Sequence, residues 1–196
     1  MAYSAGLREL FRAWSCRVAP GVTLVRGGEG AGKTSLLRLL AGELAACAGR
    51  FRIDSIDLAT QGEAYRQQVF LIDPRTDAFD QITPLAYLAS LRVRFPGFDA
   101  TCIDMLIDGL SLADHQHKPL YMLSSGSRRK VWFAGAVASG APVTLLDEPF
   151  AALDSRSMAF VCEVLQDASG DAQRVWMLAD YAAPAGVPLA GVIDLG

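Results

Sequence analysis

Gly27-Gly28-Glu29-Gly30-Ala31-Gly32-Lys33-Thr34 sets Gly27 and Gly32 around four residues and closes on a lysine and a hydroxyl, the full pattern of a phosphate-binding loop. Glycine at these positions lets successive backbone N–H groups turn inward around a polyphosphate. Lys33 then reaches the outer oxygens, and the Thr34 hydroxyl is suited to ligate magnesium. The flanks agree: Val22 to Val25 reads as a short buried strand feeding the loop, and Leu36, Leu37, Leu39, Leu40 and Leu44 recur at helical spacing after it. A helix placed there points its positive N-terminal end at the phosphate. The stretch marks a nucleoside-triphosphate binder.

Further apolar strand candidates at Val69 to Ile72, Val143 to Leu146 and Val175 to Leu178 alternate with helical patterns, which implies a mostly parallel sheet covered by helices on both faces. Val192-Ile193 is expected to close the sheet edge. Between Asp73 and Leu123 the character changes. Leu85, Leu88 and Leu91, then Ile103, Leu106, Ile107 and Leu110, repeat at helical spacing with no strand candidate among them, and Pro74, Pro84 and Pro96-Gly97 punctuate the stretch. We read residues 1–76 as the first part of a nucleotide-binding core, 77–123 as an inserted helical subdomain and 124–196 as the second part of the core.

With 196 residues, 52% of them apolar, the chain holds one substantial core or one core with a small subdomain. Eighteen basic against 21 acidic residues give a formal charge of −3, so no nucleic-acid surface is expected. Cys16, Cys47, Cys102 and Cys162 lack the spacing of a zinc or thioredoxin-like site and are expected as buried, reduced thiols of a cytosolic protein. Arg8, Glu9 and Arg12 interrupt every early apolar run, unlike a secretory signal. The uncharged stretch from Val131 to Leu146 is too short to span a bilayer and reads as a buried helix, a turn and a buried strand.

Thr144-Leu145-Leu146-Asp147-Glu148-Pro149 is an apolar strand ending in two carboxylates. Asp147 suits a magnesium ligand, and Glu148, one residue further along, suits the base that polarises an attacking water. Leu123-Ser124-Ser125-Gly126-Ser127 opens the helix leading into that strand and offers a second anion-binding surface at a helix N-terminus. One monomer cannot easily bring both surfaces to one phosphate. A head-to-tail pair solves this, with each chain's serine-glycine helix covering the nucleotide held by the other.

On these residues the chain resembles the ATP-binding cassette (ABC) family. Gly27 to Thr34 matches its Walker A loop, Leu123 to Ser127 its signature motif, Leu145 to Glu148 its Walker B strand, and Ala152-Leu153-Asp154 its D-loop. Leu123-Ser124-x-Gly126-x-x-Arg129-Lys130-Val131 and Thr83-Pro84-Leu85-x-x-Leu88 are most similar to the ATP-binding subunit type of the haem exporter in cytochrome c maturation. The resemblance implies an α/β P-loop NTPase fold, RecA-like with an inserted helical subdomain, that binds ATP and Mg2+. The implied ATP contacts are Gly27, Gly28, Gly30, Ala31, Gly32, Lys33, Thr34 and Ser35, with Ser124 and Gly126 supplied in trans. Thr34 and Asp147 are the implied metal ligands, Glu148 the implied catalytic base, and Asp154 the implied D-loop residue at the dimer interface. Tyr3 stands where the family stacks an aromatic on adenine, although the family's usual first strand is missing from the pattern. Implied partners are transmembrane permease subunits, docking near Asp73 to Leu85, and a second cassette in a homodimer or heterodimer. The implied location is cytoplasmic, peripheral on the inner face of the membrane.

Two positions depart from the family. Asp73 stands for the Q-loop glutamine and Asp180 for the switch histidine. Four carboxylates, Asp73, Asp147, Glu148 and Asp180, are thus expected to converge on a polyanion. We expect relief from Asp73 acting as an additional metal ligand, or from Asp180 turning away or meeting Arg26 or a partner arginine. Hydrolysis is expected to be slow, and an ATP-gated regulatory cassette with an impaired site is the alternative. His115 and His117 lie on a polar stretch and read as solvent-facing loop residues; Arg128-Arg129-Lys130 reads as a solvated helix start or a contact to a neighbour's nucleotide.

Overall fold

A computed structural model of the protein describes residues 3–5, 8–11 and 14–196, with side chains from residue 14 onward. Its centre is a five-stranded sheet in the order β6-β7-β8-β3-β9, formed by Val69–Leu71, Val143–Asp147, Val175–Asp180, Gly21–Arg26 and Gly191–Asp194. Every neighbouring pair in it is parallel. Each predicted strand is present, and β9 does close one edge.

Period-two alternation decides which face each side chain takes. Val69, Leu145, Met177 and Ala179 face a core completed by Leu36, Leu37 and Leu39 of α1 (Lys33–Leu40) and Tyr65 of α2 (Gly62–Gln67). Phe70, Leu146, Trp176 and Leu178 face the opposite core, built with α5 (Ser125–Ala138) and α6 (Ser155–Ser169). The Val131 to Leu146 stretch divides as expected into a buried helix, a turn at Gly140 and strand β7. Among the described residues no helix is long and apolar enough to cross a membrane.

Between β6 and α5 lie α3 (Pro84–Arg94), α4 (Ile103–Gly109) and a 3-10 turn, Leu120–Met122, with no strand among the described residues there. Thr83 caps α3, accepting from the Ala86 N–H at 3.2 Å, and Pro84 at the first position presets its backbone. Leu88, Leu91, Leu106 and Leu110 are buried and continuous with the sheet core on the α5 side. The Tyr87 and Trp132 rings meet edge to face at 4.8 Å between centroids, and Phe79 lies 4.9 Å from Tyr87.

The fold corrects several expectations. Strands β1 (Tyr3–Ala5) and β2 (Arg8–Phe11) pair antiparallel, so extended structure does precede β3. Helix α1 ends at Leu40 and does not reach Leu44, because Gly42 takes a left-handed backbone (φ 70°) that terminates it. Two short strands, β4 (Arg52–Ile53) and β5 (Ile56–Asp57), form a hairpin the apolar pattern did not announce. The four cysteines are free, but Cys16 and Cys47 are exposed, since both fall in irregular segments outside the two cores.

Candidate active site

Parallel pairing puts the carboxyl ends of β6, β7, β8 and β3 on one edge, where ligands of open α/β sheets bind. The predicted loop leaves β3 after Arg26 and enters α1 at Lys33. Gly32 holds a left-handed backbone (φ 98°), and no side chain caps α1, so the first-turn N–H groups are left for an anion. A Cβ at Gly28 or Gly30 would meet nothing within 4 Å, so the loop rim is open. Lys33, 7% exposed, folds back to donate to the carbonyls of Gly27 (2.7 Å) and Gly28 (3.0 Å). Ala31 and Ser35 lie partly buried in the same turn.

Thr34 Oγ1 donates to Asp147 Oδ2 at 2.7 Å, which joins the loop to the end of β7. Burial pushes the Asp147 carboxyl above its ordinary range. The Thr34 hydrogen bond lowers it, the Glu148 charge raises it again, and Arg129 and Lys33 lower it. A desolvated carboxylate beside an exposed hydroxyl is a hard-oxygen pair of the kind Mg2+ selects, so these residues fit the ion that the resemblance implies. Glu148 follows with φ 47°, a left-handed backbone that a non-glycine residue rarely adopts. Its N–H bonds to the Ala179 carbonyl at 2.9 Å, anchoring this elbow to β8.

Asp180 ends β8, where its Oδ1 accepts the Tyr181 N–H at 2.7 Å. Burial raises its carboxyl above the ordinary range. The Tyr181 N–H lowers it, Glu148 raises it, and Lys33 and Arg129 lower it. The Glu148 charge thus acts on both Asp147 and Asp180, but Asp73 stays exposed beyond β6 and accepts the Arg75 N–H at 2.9 Å. It shares an open cleft with Thr34, Arg38, Glu43 and Asp147. Among the described residues no three His, Cys, Asp or Glu side chains gather closely enough to hold a metal, so the four carboxylates converge less tightly than expected. Adjacent strands separate their ends by about 5 Å each, and the Glu148 elbow turns its residue out of line.

Part of the relief comes from Arg129, whose charge, with that of Lys33, lowers the carboxyls of Asp147 and Asp180. Arg26 neighbours Asp180 in register, yet its guanidinium pairs with Asp194 at 2.5 Å on the other side. Arg129 instead donates to the carbonyls of Glu148 (2.9 Å) and Asp147 (3.4 Å). Arg128 donates to the Thr76 carbonyl at 2.6 Å and pairs with Asp80. Lys130, 7% exposed, pairs with Asp154 at 2.5 Å. The basic triplet is thus no solvated helix start, because each cation binds a different loop of its own chain.

Ser124 caps α5, accepting the Ser127 N–H at 3.1 Å. A Cβ at Gly126 would lie 2.2 Å from the Ala152 carbonyl oxygen, so only glycine lets the signature helix approach the D-loop this closely. Asp154 caps α6 through the Ser157 N–H at 2.9 Å. Lys130 and that N–H hold its carboxyl well below the usual carboxylate range. Stacking by the Tyr3 side chain lies outside the described residues. His117 is exposed and His115 partly so. Sequence reasoning missed Tyr181, whose ring centroid lies 4.1 Å from Lys33 Nζ. Its position immediately after Asp180 was the available signal.

Comparison with known proteins gives the family. Residues 12–151 match the ABC transporter family. The chain is 37% identical over 154 residues to the cytochrome c biogenesis ATP-binding export protein CcmA of Pseudomonas syringae, covering 77% of this chain and 72% of that one. With CcmA of Aromatoleum aromaticum it shares 34% identity over 200 residues, covering 100% of this chain and 92% of the relative. A solved ATP-binding subunit of an ABC transporter has the same fold, with a TM-score of 0.79 at 18% identity over 91% of this chain and 76% of its own. Members of the family bind ATP with Mg2+, dimerise and act with transmembrane subunits. This chain belongs to the ABC transporter family, as an ATP-binding subunit that drives conformational change in separate transmembrane subunits.

Proposed function

We propose that the edge of the sheet binds ATP with Mg2+ and hydrolyses it slowly. Two cassettes close head to tail, with Ser124 and Gly126 of each covering the phosphates held by the loop 27–35 of the other. The Thr34 to Asp147 contact of 2.7 Å carries this reading, because it draws together the two oxygen ligands suited to the ion. Asp73, on the same cleft, is the further ligand candidate. The bound ion offsets phosphate charge. Glu148 orients the attacking water and takes its proton, while the loop N–H groups and Lys33 fix the phosphates.

Asp180 slows the step by bringing negative charge where a hydrogen-bond donor would help. The same observation supports a second reading, an impaired cassette paired with a complete one. By likeness to the CcmA proteins, the system served is cytochrome c biogenesis export. The cassette sits on the inner membrane face, with the transmembrane partner docking near Asp73 to Leu85.

Glu148→Gln tests the proposal. With Mg-ATP the parent chain turns over slowly, and the variant loses turnover while accumulating a nucleotide-bound pair on size-exclusion chromatography. A variant that keeps the parent rate, or a chain that retains no ATP, overturns it.

A further inference from the structure

An ammonium has three N–H donors. Lys33 commits two of them to the Gly27 and Gly28 carbonyls, at 2.7 and 3.0 Å. The Tyr181 ring lies over the same nitrogen, 4.1 Å from its centroid, within the range of a cation–π contact. The ring arrives from the end of β8. Asp180, the residue before it, feels the charges of both Lys33 and Glu148. The Ala179 carbonyl, two residues before Tyr181 on the same strand, accepts the Glu148 N–H at 2.9 Å, so the ring reaches Lys33 from the strand end that borders Glu148. The terminal phosphate of a triphosphate must lie near that end for a water oriented by Glu148 to attack it. Tyr181 itself is 54% exposed, so it has solvent to move into and little packing to lose.

We propose that Tyr181 sets the nucleotide affinity and ATP-over-ADP preference of this site, its aromatic face competing with the terminal phosphate for the Lys33 ammonium. This rests on the nucleotide-binding reading above. An arriving triphosphate displaces the ring before its terminal group reaches Lys33. A diphosphate lacks that group, so it competes with the ring less strongly. The competing element is the π face and not the hydroxyl, since the ring centre is what sits over the cation.

Equilibrium binding of a fluorescent ATP to the full chain, with competition by unlabelled ATP and ADP, tests this. Tyr181→Ala and Tyr181→Leu are expected to tighten ATP binding roughly two- to five-fold, as loss of an exposed cation–π contact requires. ADP binding tightens less than ATP binding, and Tyr181→Phe matches the parent for both nucleotides. Leucine behaving as the parent, phenylalanine behaving as alanine, or unchanged or weaker ATP binding in the alanine variant overturns the assignment. Equal tightening of ADP overturns the terminal-phosphate placement. A parent chain that binds neither nucleotide overturns the underlying reading together with the inference.

Discussion

Lys130 Nζ lies 2.5 Å from Asp154 Oδ2, so the signature helix is tied to the cap of α6. The same carboxylate accepts from the Ser157 N–H at 2.9 Å and the Ser157 hydroxyl at 3.1 Å. Asp154→Ala removes this cap and is expected to cost about 0.5–2 kcal/mol, read as a lower urea midpoint. Because the folded carboxyl is held below its usual range, its contribution is complete above about pH 4 and is lost as pH falls below that. The gap between parent and variant therefore narrows on acidification.

Asp180 carries the opposite sign. Burial raises its carboxyl, so the charged form costs stability at neutral pH and protonation relieves that cost. Asp180→Asn is expected to be more stable than the parent at pH 7, with the advantage fading as pH falls to about 4 and below. Urea midpoints across that range check it. Asp180→His, which supplies a donor, is expected to raise steady-state ATPase activity by up to about 10².

Gly126 has no room for a side chain. The Cβ of Gly126→Ala would stand 2.2 Å from the Ala152 carbonyl, a backbone atom that moves only with the whole D-loop. Destabilisation of about 1–3 kcal/mol is expected, with a lower melting temperature and reduced ATPase activity.

Arg129 holds the left-handed elbow at Glu148 through two carbonyls. Arg129→Met leaves them without this charged donor and removes a cation near Asp147 and Asp180. A loss of about 1.5–3 kcal/mol is expected, together with weaker Mg2+-dependent turnover. Denaturation midpoints and ATPase rates measure the two effects separately.

What could be read in the sequence was whatever local pattern encodes. Alternation places Leu145 and Leu146 on opposite faces, and the run from Gly27 to Thr34 dictates a turn and its chemistry without reference to anything distant. What escaped was pairing across the fold. Arg128 meets Asp80, 48 residues away, and Arg26, with Asp180 and Asp194 as register neighbours on its two sides, chooses Asp194, 168 residues away. Three adjacent cations look alike as text, and only the packing of α5 against three loops separates their tasks. Cys16 and Cys47 escaped for a related reason, since an apolar side chain is buried only if an element carries it inward.

The aromatic cluster beneath this edge has an optical consequence. Trp132 packs on Tyr87 and, 6.0 Å away, on Phe79, and it lines a cleft with Ile72, Pro74, Arg129 and Asp147. Its indole thus abuts both the segment after β6 and the end of β7. Any rearrangement of those segments during turnover changes the surroundings of this chromophore, so the chain's own ultraviolet emission can follow its cycle without an attached dye.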